Sequence, residues 1–315
     1  MSKPFDVLVV GELNVDLILN QIDKFPEVGK EVLADNMTLT MGSSSAIFAS
    51  NLSTVGSRVA FLGRLGHDNF GDLILSSLQA RGVDTTHILR ATTHNTGATI
   101  VLNFSEDRAM VTYPGAMNHL TLPDITADAL QKARHLHLSS MFLQAGLRKD
   151  LVTLFKNAKD AGLTTSLDPQ WDPAEQWNVN LQQLLPHVDV FMPNINELKA
   201  FTRQDDLTAA LNVIKPFARN VVVKHGSEGA YLWNGKELLH QPAFLNKDVV
   251  DSIGAGDSFD SGFIHKFISG ASDQACLEFG ALTGAINTTR PGGTGAFESL
   301  ALVKTIAATT FNYSF

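Results

Sequence analysis

The stretch DSIGAGDSFDSGF, from Asp251 to Phe263, holds the residues best placed by type and spacing to do chemistry. Gly254, Ala255 and Gly256 come directly before Asp257 and a run that reads as an amphipathic helix. Small residues let backbone N–H groups approach a ligand closely. A helix N-terminus leaves its first N–H groups without intrahelical partners and carries a partial positive charge. Together they make an anion pocket suited to a phosphate, or to the charge that develops as a phosphoryl group is transferred. Asp257, in the first turn of that helix, would stand beside the pocket, where a carboxylate can take a proton from an attacking hydroxyl. A tight turn with Asp257 as a helix cap accounts for the same residues without any chemistry.

Other polar residues have the same double character. Asn194 and Glu197 stand three apart, the spacing of a helix capping box. Gly226 and Gly229, just after Lys224, fit a turn that needs positive φ, with or without a ligand above it. Asn14 and Asp16 leave the first apolar strand as turn residues, or as a carboxylate and an amide that accept hydrogen bonds from vicinal hydroxyls.

The elements that must position these residues are short. DVLVVGEL, HLHLSS, TTSLDP, VDVFMP and NVVVKHG read as apolar strands ending in glycine or polar residues, with helical segments between them. RVAFLGRLG reads as another strand, and NFGDLILSSLQARG and LRKDLVTLFKNAKDAG as helices. Such alternation predicts an α/β domain with a mostly parallel sheet and helices on both faces. Ligands of such sheets collect at the carboxyl ends of the strands, where Asp16, Asp168, Asn194, Glu197, Lys224 and the Asp251–Asp257 stretch fall. The pattern departs from this at about 21–40 and 96–114, which predict a small β-sheet appendage; the second segment reads as a hairpin turning near Ser105, Glu106 and Asp107. The chain from Gly256 onward is mostly helical in pattern.

The 315 residues carry a formal net charge of −8 and no basic run, which argues against a nucleic acid or an anionic membrane as partner. The one cysteine, Cys276, cannot form an intramolecular disulfide and fits a reducing, cytoplasmic setting. No segment approaches a membrane span in length.

The stretch from Asp251 to Ile264 resembles the C-terminal signature of the PfkB-type, ribokinase-like carbohydrate kinases. The likeness extends over essentially the whole chain: VGELNVD, MGSSSAIFASNLSTVGSRVAFLGRLGHDNFGD, the hairpin NTGATIVLNF to TYPGA, MPNINE and VKHGSEGAYLW come in the family's order. The resemblance implies one ribokinase-like domain over 1–315 with a lid, and transfer of the ATP γ-phosphate to a hydroxyl, in the first place a primary one, of a small sugar or sugar acid. Asp257 would be the base and Gly254, Ala255 and Gly256 the anion hole. Asn194 and Glu197 would organise Mg²⁺ through water. Lys224, Gly226, Gly229 and Asn287 would lie on the nucleotide side, and Asn14, Asp16, Gly42 and Ser43 on the sugar side. Asp251 and Ile253 match the place where some members bind a monovalent cation such as K⁺. The resemblance further implies a homodimer paired through the lids. Some positions depart from the family pattern: its second glycine is Ser43 here, and an asparagine that faces the sugar is Ile47. Gln170 stands for the asparagine of an Asp-Pro-Asn segment. A nucleoside kinase, favoured by a large apolar pocket around Ile47, Phe48 and Met141, and a non-catalytic sugar- or nucleotide-binding protein are the alternatives.

Overall fold

The computed structural model describes residues 3–22, 24–104 and 107–315. Among them, strands β1 (Phe5–Val10), β2 (Asn14–Ile22), β3 (Ala34–Met41), β4 (Val59–Leu62), β5 (Arg64–Gly66), β6 (Leu89–Ala91), β7 (Gly97–Phe104) and β8 (Asp107–Tyr113) fill the first part of the chain. β9 (Ala133–Ser139), β10 (Thr164–Asp168), β11 (Val190–Phe191), β12 (Asn220–Lys224), β13 (Ala230–Trp233) and β14 (Leu238–Gln241) follow. The longer helices are α1 (Ser44–Thr54), α2 (Asn69–Ala80), α3 (Leu151–Asp160), α4 (Ile195–Thr202), α5 (Leu207–Ile214), α6 (Ala255–Ile268), α7 (Asp273–Asn287) and α8 (Leu300–Phe311).

The main sheet has the order β14-β13-β12-β11-β10-β9-β1-β4; only β13 runs against the others, antiparallel to both β12 and β14. Its central strands are apolar on both faces because helices cover both. Val7 and Val9 belong to the core on the α6, α7 and α8 side, Leu8 and Val10 to the core on the α3, α4 and α5 side. The strand order reverses between β1 and β9, which opens a crevice at their carboxyl ends.

The lid is a four-stranded mixed sheet, β3-β2-β7-β8, in which β2 and β7 run parallel. It begins at Asn14 rather than near Gln21, since β2 carries the chain from the core strand straight into the lid. β7 and β8 form the expected antiparallel hairpin. Its predicted turn at Ser105–Asp107 lies at the edge of the described residues, with Ser105 and Glu106 outside them. The expected single strand RVAFLGRLG is two strands in different sheets, β4 and β5. The break falls at Gly63, where a Cβ would meet the Gly11 carbonyl at 2.8 Å. Among the described residues, no helix is long and apolar enough to cross a membrane.

Candidate active site

Gly254, Ala255, Gly256 and Asp257 stand at the start of a helix. Gly254 caps α6 with φ 74°, a left-handed conformation that favours glycine, and a Cβ there would lie 2.6 Å from Gly293 Cα. Asp257 follows in the first turn, 7% exposed. The Ala255 N–H turns back to the Ser252 carbonyl at 3.2 Å, so Gly256 and Asp257 contribute the free amides of the helix start.

Asp257 does not stand alone. Gln170 Nε2 donates to Asp257 Oδ1 at 3.0 Å and to Asp168 Oδ2 at 2.8 Å. Lys224, at the end of β12, places Nζ 2.9 Å from Asp168 Oδ2 and 2.9 Å from Asp260 Oδ2. Burial opposes the charge of Lys224, but the facing carboxylates of Asp168 and Asp260 outweigh it and hold the ammonium charged. Burial, and then the charge of Asp168, push the Asp257 carboxyl up to about 7, against the pull of Lys224. Burial likewise pushes Asp260 well up, and Glu197 to about 7 with Asp168 adding to the effect. Lys224 thus faces the carboxyls of Asp168, Asp260 and Glu197 together, while buried Glu12 is held by Ser43 and Ser45.

Asn194 and Glu197 form the capping box of α4 in full. Asn194 Oδ1 accepts from the Glu197 N–H at 2.9 Å, and Glu197 Oε2 accepts from the Asn194 N–H at 2.8 Å. Asn194 Nδ2 also donates to Glu197 Oε1 at 2.6 Å. Among the described residues, no three His, Cys, Asp or Glu side chains converge as direct metal ligands.

Lys224, Gly226 and Gly229 line one cavity of about 400 Å³, together with Phe244, Phe259 and Ala285. Gly229 has φ 96°, and a Cβ there would collide with the Gln241 carbonyl. Asn287 corrects the sequence reading. Its side chain is wholly buried on the other face of α7, where Nδ2 donates to the Ile253 carbonyl at 2.6 Å and Oδ1 accepts from Ser258 at 2.9 Å. The neighbours Gly284, Ala285 and Thr288 present the helix to the cavity instead. Asn287 is a strut for the loop before α6. Asp251 is a second one, accepting from the Ile253 and Gly292 N–H groups at 2.9 and 2.8 Å.

On the lid side, Asn14 Nδ2 donates to Asp16 Oδ1 at 2.9 Å and to Thr99 at 3.0 Å. Burial raises Asp16 to about 6. Its carboxylate lies against Gly42, where any Cβ would collide with it.

The two departures at 43 and 47 are both absorbed locally. Ser43 keeps the glycine-like backbone, φ 73°. Its hydroxyl donates to Glu12, at 2.6 Å to the carbonyl and 3.2 Å to Oε1, and accepts from the Ala46 N–H at 3.0 Å. That hydroxyl is therefore spent inside the protein, and the Ser43 carbonyl accepts from the Ile47 N–H at 2.9 Å. Ile47 is buried against Gly254 and Gly293, behind the anion loop. One turn further along α1, Asn51 Nδ2 donates to the Gly293 carbonyl and to Ser258, each at 2.9 Å. Residues four apart share a helix face, so the spacing from Ile47 carried the signal. The sequence reading missed Asn51, Glu12 and Asp260, as well as the contact of Gln170 with Asp257.

Phe48 stacks on His137 with ring centroids 3.6 Å apart, and Met141 is fully buried. Phe48 and Met141 belong to the cores on opposite faces of the main sheet.

The sequence pattern described as pfkB family carbohydrate kinase matches residues 5–300. A sugar kinase of Archaeoglobus fulgidus is 29% identical over 235 residues, covering 74% of this chain and 92% of its own. A 5-dehydro-2-deoxygluconokinase of Geobacillus thermodenitrificans is 26% identical over 305 residues, 90% of this chain and 88% of its own. The structure of Arabidopsis thaliana ribokinase complexed with ribose and ATP superposes with a TM-score of 0.83 at 23% identity, over 95% of this chain and 97% of that one.

Proposed function

We propose, from the membership of this chain in the pfkB family of carbohydrate kinases, phosphotransferases with an alcohol acceptor, that Asp257 is the general base in transfer of the ATP γ-phosphate to a hydroxyl of a sugar. The observation that carries the reading is the single constellation of Asp257, its free helix N-terminus and the cavity reached by Lys224. Phosphoryl transfer asks the protein mainly for positioning and charge stabilisation. Gly256 and Asp257 amides supply the second, and the Asp257 carboxylate receives the hydroxyl proton. With its carboxyl near 7, Asp257 is well matched to a base working at neutral pH.

ATP would occupy the cavity over Gly226 and Gly229, as the apolar wall of Phe244, Phe259 and Ala285 suits a nucleobase. The surplus of buried carboxyls fits a divalent cation. Asn194 and Glu197 would hold Mg²⁺ through its waters, the manner an oxygen-only, incompletely converging set allows. Bound there, the ion would neutralise phosphate charge. Asp251 and the Ile253 carbonyl remain the proposed place of a monovalent cation.

The acceptor lies between the lid, at Asn14, Asp16 and Gly42, and Asp257. The acceptor is read as a sugar rather than a nucleoside on the description of the family, carbohydrate kinases. The lid's outer face, with Met37, Leu39, Ile100, Val111 and Tyr113 exposed, is apolar and suits pairing with the lid of a second copy. Cytoplasmic residence agrees with the single, buried thiol of Cys276.

The test is ADP release from MgATP against a panel of sugars, sugar acids and nucleosides. Release that depends on a sugar and on Mg²⁺ supports the reading. ATP binding without acceptor-dependent release from any panel member favours the non-catalytic alternative.

A further inference from the structure

The lid's inner face extends well past the residues that would hold the phosphorylated sugar. Alternate residues of a strand share a face, so Asn14, Asp16, Ile18 and Asn20 all look inward. Ile18 and Val101, paired in register across β2 and β7, are 7% and 2% exposed and mark that face as the covered one. From Asp16 to Asn20 is four residues of strand, about 13 Å. One sugar ring touching Asp16 cannot reach Asn20.

A second cavity, about 290 Å³ in size and close to the lower limit of ordinary ligand pockets at roughly 300 Å³, runs from Thr40, the register partner of Asp16, to that far end. Thr38, Thr40, Asn20 and Asn103 line its lid side, and Asp251 and Gly292 its floor. Asp16, Gly42 and Asp257 are not part of it. Asn103 Nδ2 donates to Asn20 Oδ1 at 2.7 Å, which leaves the NH₂ of Asn20 and the carbonyl oxygen of Asn103 available. With the two threonine hydroxyls they offer both donors and acceptors, the set that suits sugar hydroxyls. None of the described lining residues is cationic. None of the described lining residues is aromatic, so a base finds no ring among them to stack on. The floor is held in place by the two backbone N–H groups that Asp251 binds.

We propose that the natural acceptor is a two-unit glycoside: one unit presents its hydroxyl to Asp257 and the second, hydroxyl-bearing unit fills the cavity between Asn20, Thr38, Asn103 and the Asp251 loop. This rests on the sugar kinase reading and narrows its acceptor.

The test uses the full-length chain carrying Thr38→Cys. The native Cys276 is buried and its thiol is pushed up to about 12, mainly by burial, so the thiol introduced into the cavity would be the one reactive thiol among the described residues. The rate of alkylation is measured with MgADP and either one-ring probes (glucose, fructose, ribose) or two-ring probes (maltose, cellobiose, sucrose, lactose), alongside ADP release on the same compounds. The proposal expects a two-ring probe to slow alkylation about tenfold where its one-ring parts do not, and to be turned over with kcat/KM about tenfold higher, the equivalent of one or two hydrogen bonds. Asn103→Leu should lower the two-ring to one-ring ratio of kcat/KM. Two results overturn the proposal: no two-ring probe protects the introduced thiol, or a one-ring sugar is turned over at least as well as every glycoside. The kinase reading fails separately, by ADP release that no acceptor stimulates, and the protection measurement decides the cavity even then.

Discussion

Gln170→Leu is the substitution that probes the base most selectively. The side chain is long enough to reach Asp257 Oδ1 at 3.0 Å while still holding Asp168 at 2.8 Å. Leucine keeps much of the volume and removes the donor. A hydrogen bond to a charged acceptor is worth about 1.5–3 kcal/mol, and one pKa unit is about 1.36 kcal/mol. Losing this donor raises the Asp257 carboxyl from about 7 to roughly 8–9. The working form is the ionised one, so activity is lost on the acid side and the loss moves to higher pH. At pH 7 the ionised fraction falls from about one half to roughly one tenth or one hundredth, a five- to fifty-fold drop in kcat/KM. Well above pH 9 the two proteins converge. The assay is kcat/KM against pH on the best acceptor, with the Asp257 carboxyl followed directly by NMR in the same variant. A uniform loss at every pH, with the acid limb unmoved, would refute the argument and reduce Gln170 to a structural residue.

Three further outcomes follow from the same charges. Asp257 has a folded value raised above its unfolded 3.8 to about 7, so its ionisation costs stability as pH rises through that window and costs nothing below it. Asp257→Asn should therefore be more stable than the parent above pH 7, by up to roughly 4 kcal/mol, with the gain vanishing toward pH 4; thermal unfolding across pH reads it. Lys224→Met leaves Asp168 and Asp260 facing each other without their ammonium, and should destabilise by about 3–5 kcal/mol in denaturant titrations at pH 8. Val111→Glu on the lid's outer face should turn a dimer seen by light scattering into a monomer, and a parent that is monomeric at micromolar concentration removes the lid-pairing proposal.

The fold was legible because its strands are short apolar runs with polar ends, and a sheet covered on both faces writes that pattern directly into the chain. The start of α6 was legible for a similar reason, since glycine, helix start and aspartate are consecutive. What stayed hidden depends on contacts between distant segments. Glu12 reads as the polar end of β1, and only the fold shows it gathering Ser43 and Ser45. Asp260 reads as a polar helix residue, and only the approach of β12 puts Lys224 on it. Asn287 was assigned to the correct helix but the wrong face, because a helix turns about 100° per residue and one position separates Thr288, at the cavity, from a buried strut. Ser43 looked like lost sugar contact. Its hydroxyl is turned inward, and that direction is set by Glu12, thirty-one residues earlier.

The most direct test of the central claim compares the parent and Asp257→Asn in single-turnover phosphoryl transfer from MgATP to the best acceptor, with ATP binding measured in both. The account predicts transfer slowed by about 10²–10⁴-fold with ATP binding and folding retained. Transfer within a few-fold of the parent would contradict it and take the role of base away from Asp257.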